Sequence, residues 1–454
     1  MTQTLGTGEI AEGSRISALS RKVVALMLLV TLVDSYDQSA LAYAAPAIVR
    51  DWGIETSAMG PVFGAQMAGM MLGGILFGYL GDRLGRRSVV IGGTLLFGLL
   101  SLATMLVQSL PALLLIRFIV GVGVGGVTPN AVALANEYAP RRFQVTAVAL
   151  MFIGYVFGGV GGGAVSAWLL PRFGWEIVFL IGGVVPLVMA AILVWQLPES
   201  IKFLVLDGRP DRRAQALALV ARMRPDLNVQ AGTRLVDDSP AAAGRGLALL
   251  FDGALRSMTP MLWIAYIANS ITAFGIISWM PILLETMGFP GHAAAIATAL
   301  MFAAAALGGL LMGLIVDRRG IGPLIAMPAA AIPAMIAIGF LKPEAEMLLF
   351  ALAALVGFFA FGFQNSLHGI GGSIYPTQVR ALGVGWALSV SKVGGIVGPA
   401  AGGMLLAAGA SPLAILTAAA VPLLGSSAAI AVLRGRYHAG RAPAGTPVGL
   451  PWGQ

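Results

Sequence analysis

Apolar residues dominate twelve stretches of the chain, near 23–45, 59–80, 88–107, 110–136, 144–170, 174–196, 258–284, 292–316, 322–341, 346–374, 381–407 and 410–433, and short polar segments separate them. A helix that crosses the hydrocarbon core of a bilayer needs about 20 mostly apolar residues, so each stretch predicts a membrane-spanning helix. A longer polar stretch, Pro198 to Ser257, is rich in Arg, Asp and Pro and shows helical apolar spacing only near Ala214–Met223. It divides the spans six and six. The pattern therefore predicts an all-α integral membrane fold: an N-terminal tail (1–22), a six-helix bundle (23–197), a central loop (198–257), a second six-helix bundle (258–434) and a C-terminal tail (435–454). The first apolar stretch carries Asp34 and Asp37 in its middle and no small-residue cleavage pattern follows it, so it reads as a retained helix.

The two halves are related. A shift of 235 positions lays Gly78, Asp82, Arg83 and Gly85 on Gly313, Asp317, Arg318 and Gly320, and the same shift pairs Pro46 with Pro281 and Asn130 with Asn365. Three separate places on one offset indicate a duplicated six-helix unit with pseudo-symmetric halves. Parallel repeats of this kind place a binding site at their interface near the membrane midplane. The same register also exposes an asymmetry: Asp34 falls on Asn269, Asp37 on Thr272 and Arg117 on Leu352. Ionisable groups are thus concentrated in the first half, where proton handling is expected.

Composition agrees with lipid as the main solvent: 58% of residues are hydrophobic, 11% are charged, and the mean hydropathy is +0.87. Basic residues set an orientation. With the N-terminus cytoplasmic, the inside segments hold fourteen of them, among them Arg83, Arg86, Arg87, Arg141, Arg142, Arg318 and Arg319, against Arg50, Arg172 and Lys342 outside. Both termini are then cytoplasmic, and the sequence pI of 10.1 is a topology signal that does not point to nucleic acid. The absence of cysteine removes disulfides, thiolate chemistry and cysteine metal sites together. The three histidines, His292, His368 and His438, lie far apart in sequence without ligand spacing. No cofactor and no enzyme activity are expected.

The polar residues inside the spans carry the candidate chemistry. Each Asp at the centre of a span costs about 2.5–3.5 kcal/mol on insertion scales, so Asp34 and Asp37 together cost roughly 5–7 kcal/mol if unpaired. They lie three residues apart on one helix face and are expected to share one aqueous cavity and to load the proton. Fixed neutralisation by a partner such as Arg117 is the bland alternative. Arg117 opens the fourth span ahead of Gly121, Gly123, Gly125 and Gly126, where it either holds an Asp or an anionic substrate or snorkels to the headgroups. The run Gly78, Asp82, Arg83, Gly85, Arg86 between the second and third spans, with its second copy at Asp317 and Arg318, reads as a gating latch. Candidate substrate contacts are Asn130, Asn269, Gln364, Asn365, His368 and Trp279, with helix-to-helix polar bonding as the alternative. Lys392 lies well inside the eleventh span among apolar, Gly and Ser neighbours, and is the first choice of counter-ion for an anionic substrate.

These motifs are recognisable. The Gly78–Arg87 run resembles the loop signature of the major facilitator superfamily, and Arg117-x-x-x-Gly121-x-Gly123 and Pro198-Glu199-Ser200 resemble two further elements of it. Within that superfamily the chain resembles the aromatic acid:proton symporter family, through Asp34-Ser35-Tyr36-Asp37, Gly125–Asn130 leading to Glu137–Pro140, and Tyr375–Ala381 leading to Gly383-Val384-Gly385-Trp386. The resemblance implies a bacterial inner-membrane importer of hydroxybenzoate-type anions driven by protons, acting as a monomer, in which Asp34, Asp37, Arg117, Asp82, Asp317 and Arg380 take part in transport. Two departures touch these roles: Lys392 stands where the family has Arg, and the loop after Asp317-Arg318 lacks the family's His. The alternatives are a carrier of the same fold for an aliphatic acid or sugar, or a drug efflux antiporter.

Overall fold

The computed structural model describes residues 4–12, 16–227, 229–230, 232–236, 246–253, 255–375 and 379–439. Helices occupy all twelve expected stretches. In chain order the spans are Ala18–Trp52, Met59–Leu84, Arg86–Thr104, Leu110–Tyr138, Gln144–Phe173 and Glu176–Gln196, then Leu255–Thr286, Gly291–Arg319, Ala326–Ile338, a tenth built of three pieces, Arg380–Ala407 and Pro412–Ala439. The tenth runs from Glu346–Val356 through a π turn at Gly357–Phe361 into Gly362–Ile374. Ten of the described helices are long and apolar enough to cross a membrane. The other two are the first, which is 35 residues long and carries Asp34 and Asp37 in its middle, and the ninth, which with its leading 3-10 turn covers Gly322–Ile338. The chain is a multi-pass helical membrane protein.

Backbone geometry repeats at the offset read from the sequence. Positive φ is found at Gly53 and Gly288, at Gly85 and Gly320, and at Gly174 and Gly409, and each pair is 235 positions apart. These are chain reversals between spans that need a left-handed residue, which glycine adopts without steric cost. Packing repeats too. In the fifth span Gly158 lies against Leu32, Ser35 and Tyr36 of the first, and in the eleventh Gly394 lies against Ile267, Ser270 and Ile271 of the seventh. Gly73 presses on the backbone of Val122, and Gly308 on that of Phe358, so a side chain at either glycine would drive two spans apart.

The described chain forms two compact units. The first comprises 1–40, 68–159 and 176–241; the second comprises 41–67, 160–175 and 242–454. In the first unit the third span packs on the fourth and sixth; in the second the seventh packs on the eleventh and twelfth.

The polar stretch after the sixth span holds more structure than its apolar spacing indicates. Ser200 caps a short helix, Ile201–Asp207, by accepting a hydrogen bond from the Phe203 N–H at 3.1 Å, and Gly208 ends it with φ +72. Pro210 opens the helix Pro210–Met223, whose Ala216, Leu219, Val220 and Met223 are buried. Leu5 and Ile10, in the chain ahead of the first span, are buried as well. Thr4–Gly6 pairs in parallel with Arg234–Val236, and Arg224 donates to the Glu9 and Ile10 carbonyls at 3.0 and 3.1 Å. A small layer outside the spans is thereby closed between the two ends of the first half.

Candidate functional site

The polar core of the first unit gathers side chains from the first, third and fourth spans. Asp37 and Arg117 are both fully buried, and Arg117 Nη1 stands 3.7 Å from Asp37 Oδ1. Ser101 Oγ donates to the same Oδ1, and Arg117 Nη2 donates to the Thr104 hydroxyl at 2.5 Å. The guanidinium lies over the Phe179 ring, 4.8 Å from its centroid. Of the two readings of Arg117, the structure shows the inward one. Among the described residues, Arg117 Nε and Nη1 and Asp37 Oδ2 have no hydrogen-bond partner. The pair is desolvated yet incompletely satisfied. A buried ion pair of this kind is a weak stabiliser as a whole but costs about 3–5 kcal/mol to break from one side.

Asp34 takes a different set of neighbours. Its Oδ2 accepts from the Thr128 hydroxyl of the fourth span, one residue before the helix-internal Pro129. Close by in sequence, Gln38 accepts from Tyr155 and its amide donates to Met70 Sδ at 3.1 Å. A shared cavity for the two aspartates was expected; the structure gives each its own hydroxyl donor on a different span. Residues three apart on a helix diverge by about 60°, enough to direct the two carboxylates to separate neighbours.

Asn130, a candidate substrate contact, spends its amide N–H groups on the Phe77 and Gly126 carbonyls at 3.1 and 2.9 Å, fixing the second span against the fourth.

In the second unit, the seventh and tenth spans meet through Asn269, whose amide donates to Gln364 Oε1 at 2.7 Å and to the Ala360 carbonyl at 3.1 Å. Gln364 donates to Ser270 Oγ at 3.3 Å. Asn365 is exposed and donates to the Ala305 carbonyl at 3.3 Å. Trp279 is buried, with its indole N–H on the Pro399 carbonyl at 2.9 Å and its ring edge-on to Phe63. Lys392 is half-buried, its Nζ 5.5 Å from the Phe274 ring centroid. The side chains of Asp317, His368 and Arg380 lie outside the described residues.

The loop between the second and third spans belongs to a network whose centre is two glutamates. Arg86 pairs with Glu137 at the end of the fourth span, and Ser200 Oγ donates to the other oxygen of Glu137 at 2.6 Å. Glu199 Oε1 accepts from the backbone N–H of Arg87 and of Ser200, at 3.0 and 2.8 Å. The Arg87 guanidinium donates to the Leu197 and Val194 carbonyls at 2.7 and 2.5 Å, closing the end of the sixth span. The Tyr138 hydroxyl donates to the Glu199 carbonyl at 2.6 Å. Gly85 has φ +91, and a Cβ there would collide with the Glu199 carboxylate. Asp82, read as the latch acid, is peripheral: its side chain is 77% exposed and 3.7 Å from Arg86. Arg83 and Arg318 are exposed, and Arg83 lies over the Tyr79 ring.

Glu137 and Glu199 were visible in the sequence only as parts of family motifs. Ser101, Thr104 and Thr128 carried no signal, because hydroxyl residues are common in spans. One further pair, Arg50 with Glu285, joins the ends of the first and seventh spans. Its signal was present, since the two residues are 235 positions apart and so occupy one place in the repeat.

A family profile described as Major Facilitator Superfamily matches residues 27–367 and again 262–453. The chain is 34% identical over 415 residues to the 4-hydroxybenzoate transporter PcaK of Pseudomonas putida, covering 90% of this chain and 91% of that protein. It is 33% identical over 417 residues to the gallate transporter of Pseudomonas putida, with 91% and 92% covered. It is also 32% identical to the 3-(3-hydroxy-phenyl)propionate transporter of Escherichia coli, with 91% and 94% covered. Among solved structures, a bacterial homologue of the human lysosomal transporter Spinster, in an inward-facing and unoccupied conformation, superposes with a TM-score of 0.66 at 18% identity, with 94% of this chain and 97% of that one covered.

Proposed function

We infer that this chain, which belongs to the major facilitator superfamily, imports a small aromatic carboxylate of the hydroxybenzoate type together with protons. The relatives named above, which transport 4-hydroxybenzoate, gallate and a hydroxyphenylpropionate, support the substrate class. The buried Asp37–Arg117 pair carries the reading of proton coupling. An ion pair held away from water at 3.7 Å, with donors left unsatisfied, is released when the carboxylate takes up a proton. The freed guanidinium then has a charge to offer elsewhere. Asp34, bound to Thr128, is the second proton-carrying group. Lys392 supplies positive charge for the substrate carboxylate, with Asn269 and Gln364 as polar neighbours on the seventh and tenth spans.

The basic residues of the termini and of the loops after even-numbered spans put those segments in the cytoplasm of a bacterial cell, with the protein in the inner membrane. The network of Arg86, Glu137, Arg87 and Glu199 then lies at the cytoplasmic end and acts as its latch. The bodies that alternate are the two related halves, 23–197 and 258–434, and a single chain suffices. Uptake of radiolabelled 4-hydroxybenzoate into cells expressing the protein, with and without a proton uncoupler, tests the assignment. The expected result is accumulation that the uncoupler collapses; accumulation unaffected by the uncoupler removes proton coupling, and transport only of a sugar or aliphatic acid removes the substrate class.

A further inference from the structure

Within the second unit, the Arg50–Glu285 pair borders a cavity of about 410 Å³ that the proposed function does not use. Tyr43, Ser166, Gly291 and His292 line it beside the ion pair, and the rest of its wall is apolar. Three observations mark it as a place for a carboxylate. A cation lines it: the Arg50 side chain is 60% exposed, whereas that of Glu285 is 19% exposed. A long helix, Gly291–Arg319, begins in its wall, and the N–H groups of a first helical turn have no partner inside the helix and favour anions. Ser166, 4% exposed, faces it with a hydroxyl that has no hydrogen-bond partner among the described residues.

A carboxylate already sits there. Glu285 binds Arg50, and its Oε1 lies against the first residue of the helix, 3.0 Å from where a Cβ on Gly291 would stand. Glu285 belongs to the end of the seventh span, so its ion pair in the cavity wall also ties that end to the first span. The pair is partly solvated and therefore weak, so a soluble carboxylate is able to compete with it.

We propose that this cavity is an outer anion site for a small aromatic carboxylate, and that the ligand binds by taking the place of Glu285 on Arg50, which unties the outer ends of the first and seventh spans. Arg50, His292 and Ser166 hold the carboxylate and the apolar wall receives the ring. Its position on the outer side and its ligand class rest on the function and orientation proposed above.

The chain has no cysteine, so a single Leu170→Cys substitution in the cavity wall gives a reporter for a membrane-impermeant maleimide on intact cells. The expected result is that 4-hydroxybenzoate slows labelling several-fold while neutral 4-hydroxybenzyl alcohol does not. Glu285→Gln should lower the protecting concentration by about tenfold, Arg50→Gln should abolish protection, and Arg50→Lys should keep part of it. Equal protection in the Arg50→Gln background overturns the site, as does no protection in a chain that still takes up 4-hydroxybenzoate. Protection without any uptake sustains the site and counts against the transport reading instead; absence of both overturns both.

Discussion

The first and seventh spans are copies of one helix, and their polar positions have diverged. At one place in the repeat, Asp34 accepts from Thr128 on the fourth span, and its counterpart Asn269 donates to Gln364 and Ala360 on the tenth. At another, Asp37 is joined to Ser101 and Arg117, and its counterpart Thr272 donates to the Ala419 carbonyl at 2.6 Å. Leu352 stands where the first half has Arg117. Asp34 and Asn269 thus make the same connection, first span to fourth and seventh to tenth, with a carboxylate in one copy and a neutral amide in the other, whereas Thr272 turns to the twelfth span and makes no charged pair. In the neutral copy these positions pack through hydrogen bonds without charge. Charges inside a span cost insertion energy and mark function by default, and proton uptake is the purpose we propose for them.

The loop network differs in the same way. Asp317 and Arg318 repeat Asp82 and Arg83, yet Ile321 and Gly372 stand in place of Arg86 and Glu137. Only the first half has the residue types for this charged link, which is why we assign the cytoplasmic latch to Arg86 and Glu137 and not to the exposed Asp82.

Converting the first half to the second is the severest test of this contrast. Arg117→Leu leaves Asp37 buried without its counter-charge, and is expected to abolish uptake and to lower stability by about 3–5 kcal/mol, read by thermal unfolding in detergent. Adding Asp37→Thr should restore most of the stability and none of the transport; recovery of proton-driven uptake in the double variant breaks the assignment. Next in size, Glu137→Gln keeps the Ser200 bond but removes the charge facing Arg86, with an expected loss of about 1.5–3 kcal/mol and slowed uptake. Asp34→Asn copies Asn269 directly. It should change stability by less than about 1.5 kcal/mol, leave substrate exchange in place and end uptake against a gradient; full accumulation would show that Asp34 carries no proton.

The smallest expected effect lies outside the membrane. Arg224 holds the Asp226 carboxyl below the usual carboxylate range through hydrogen bonds to both oxygens. A lowered folded-state value means that the contribution is complete above the ordinary carboxylate pKa and is lost as pH falls through the lowered one. The Asp226 side chain is 63% exposed, so screening by solvent keeps the contribution small. Asp226→Asn should raise protease access to residues 4–12 by about twofold at most at neutral pH, and by nothing further in acid.

Span positions and the duplication were legible because they rest on apolar length and on a fixed offset, and the positive φ glycines at Gly53, Gly85 and Gly174 recur in the second copy on that same offset. Asp34, Asp37 and Arg117 stood out as charges inside apolar runs, but their pairing did not. A helix of known period places the two aspartates on one face without saying which neighbour each meets, and that is decided by packing of the third and fourth spans. The hydroxyl donors Ser101, Thr104 and Thr128 resemble any other span residues until tertiary structure brings them to an ion. Arg50 and Glu285 were legible in principle, since a repeat tends to bring equivalent positions together at its axis, but each looked like an ordinary residue at the end of a span.

We assign the proton to Asp37, the buried partner of Arg117. Purified protein in liposomes loaded with a pH-sensitive dye, given 4-hydroxybenzoate outside, reads proton and substrate movement together. Wild type should acidify the lumen as substrate enters, whereas Asp37→Asn should exchange substrate across the membrane with no acidification. Acidification by Asp37→Asn at the wild-type rate would mean that Asp37 does not carry the proton.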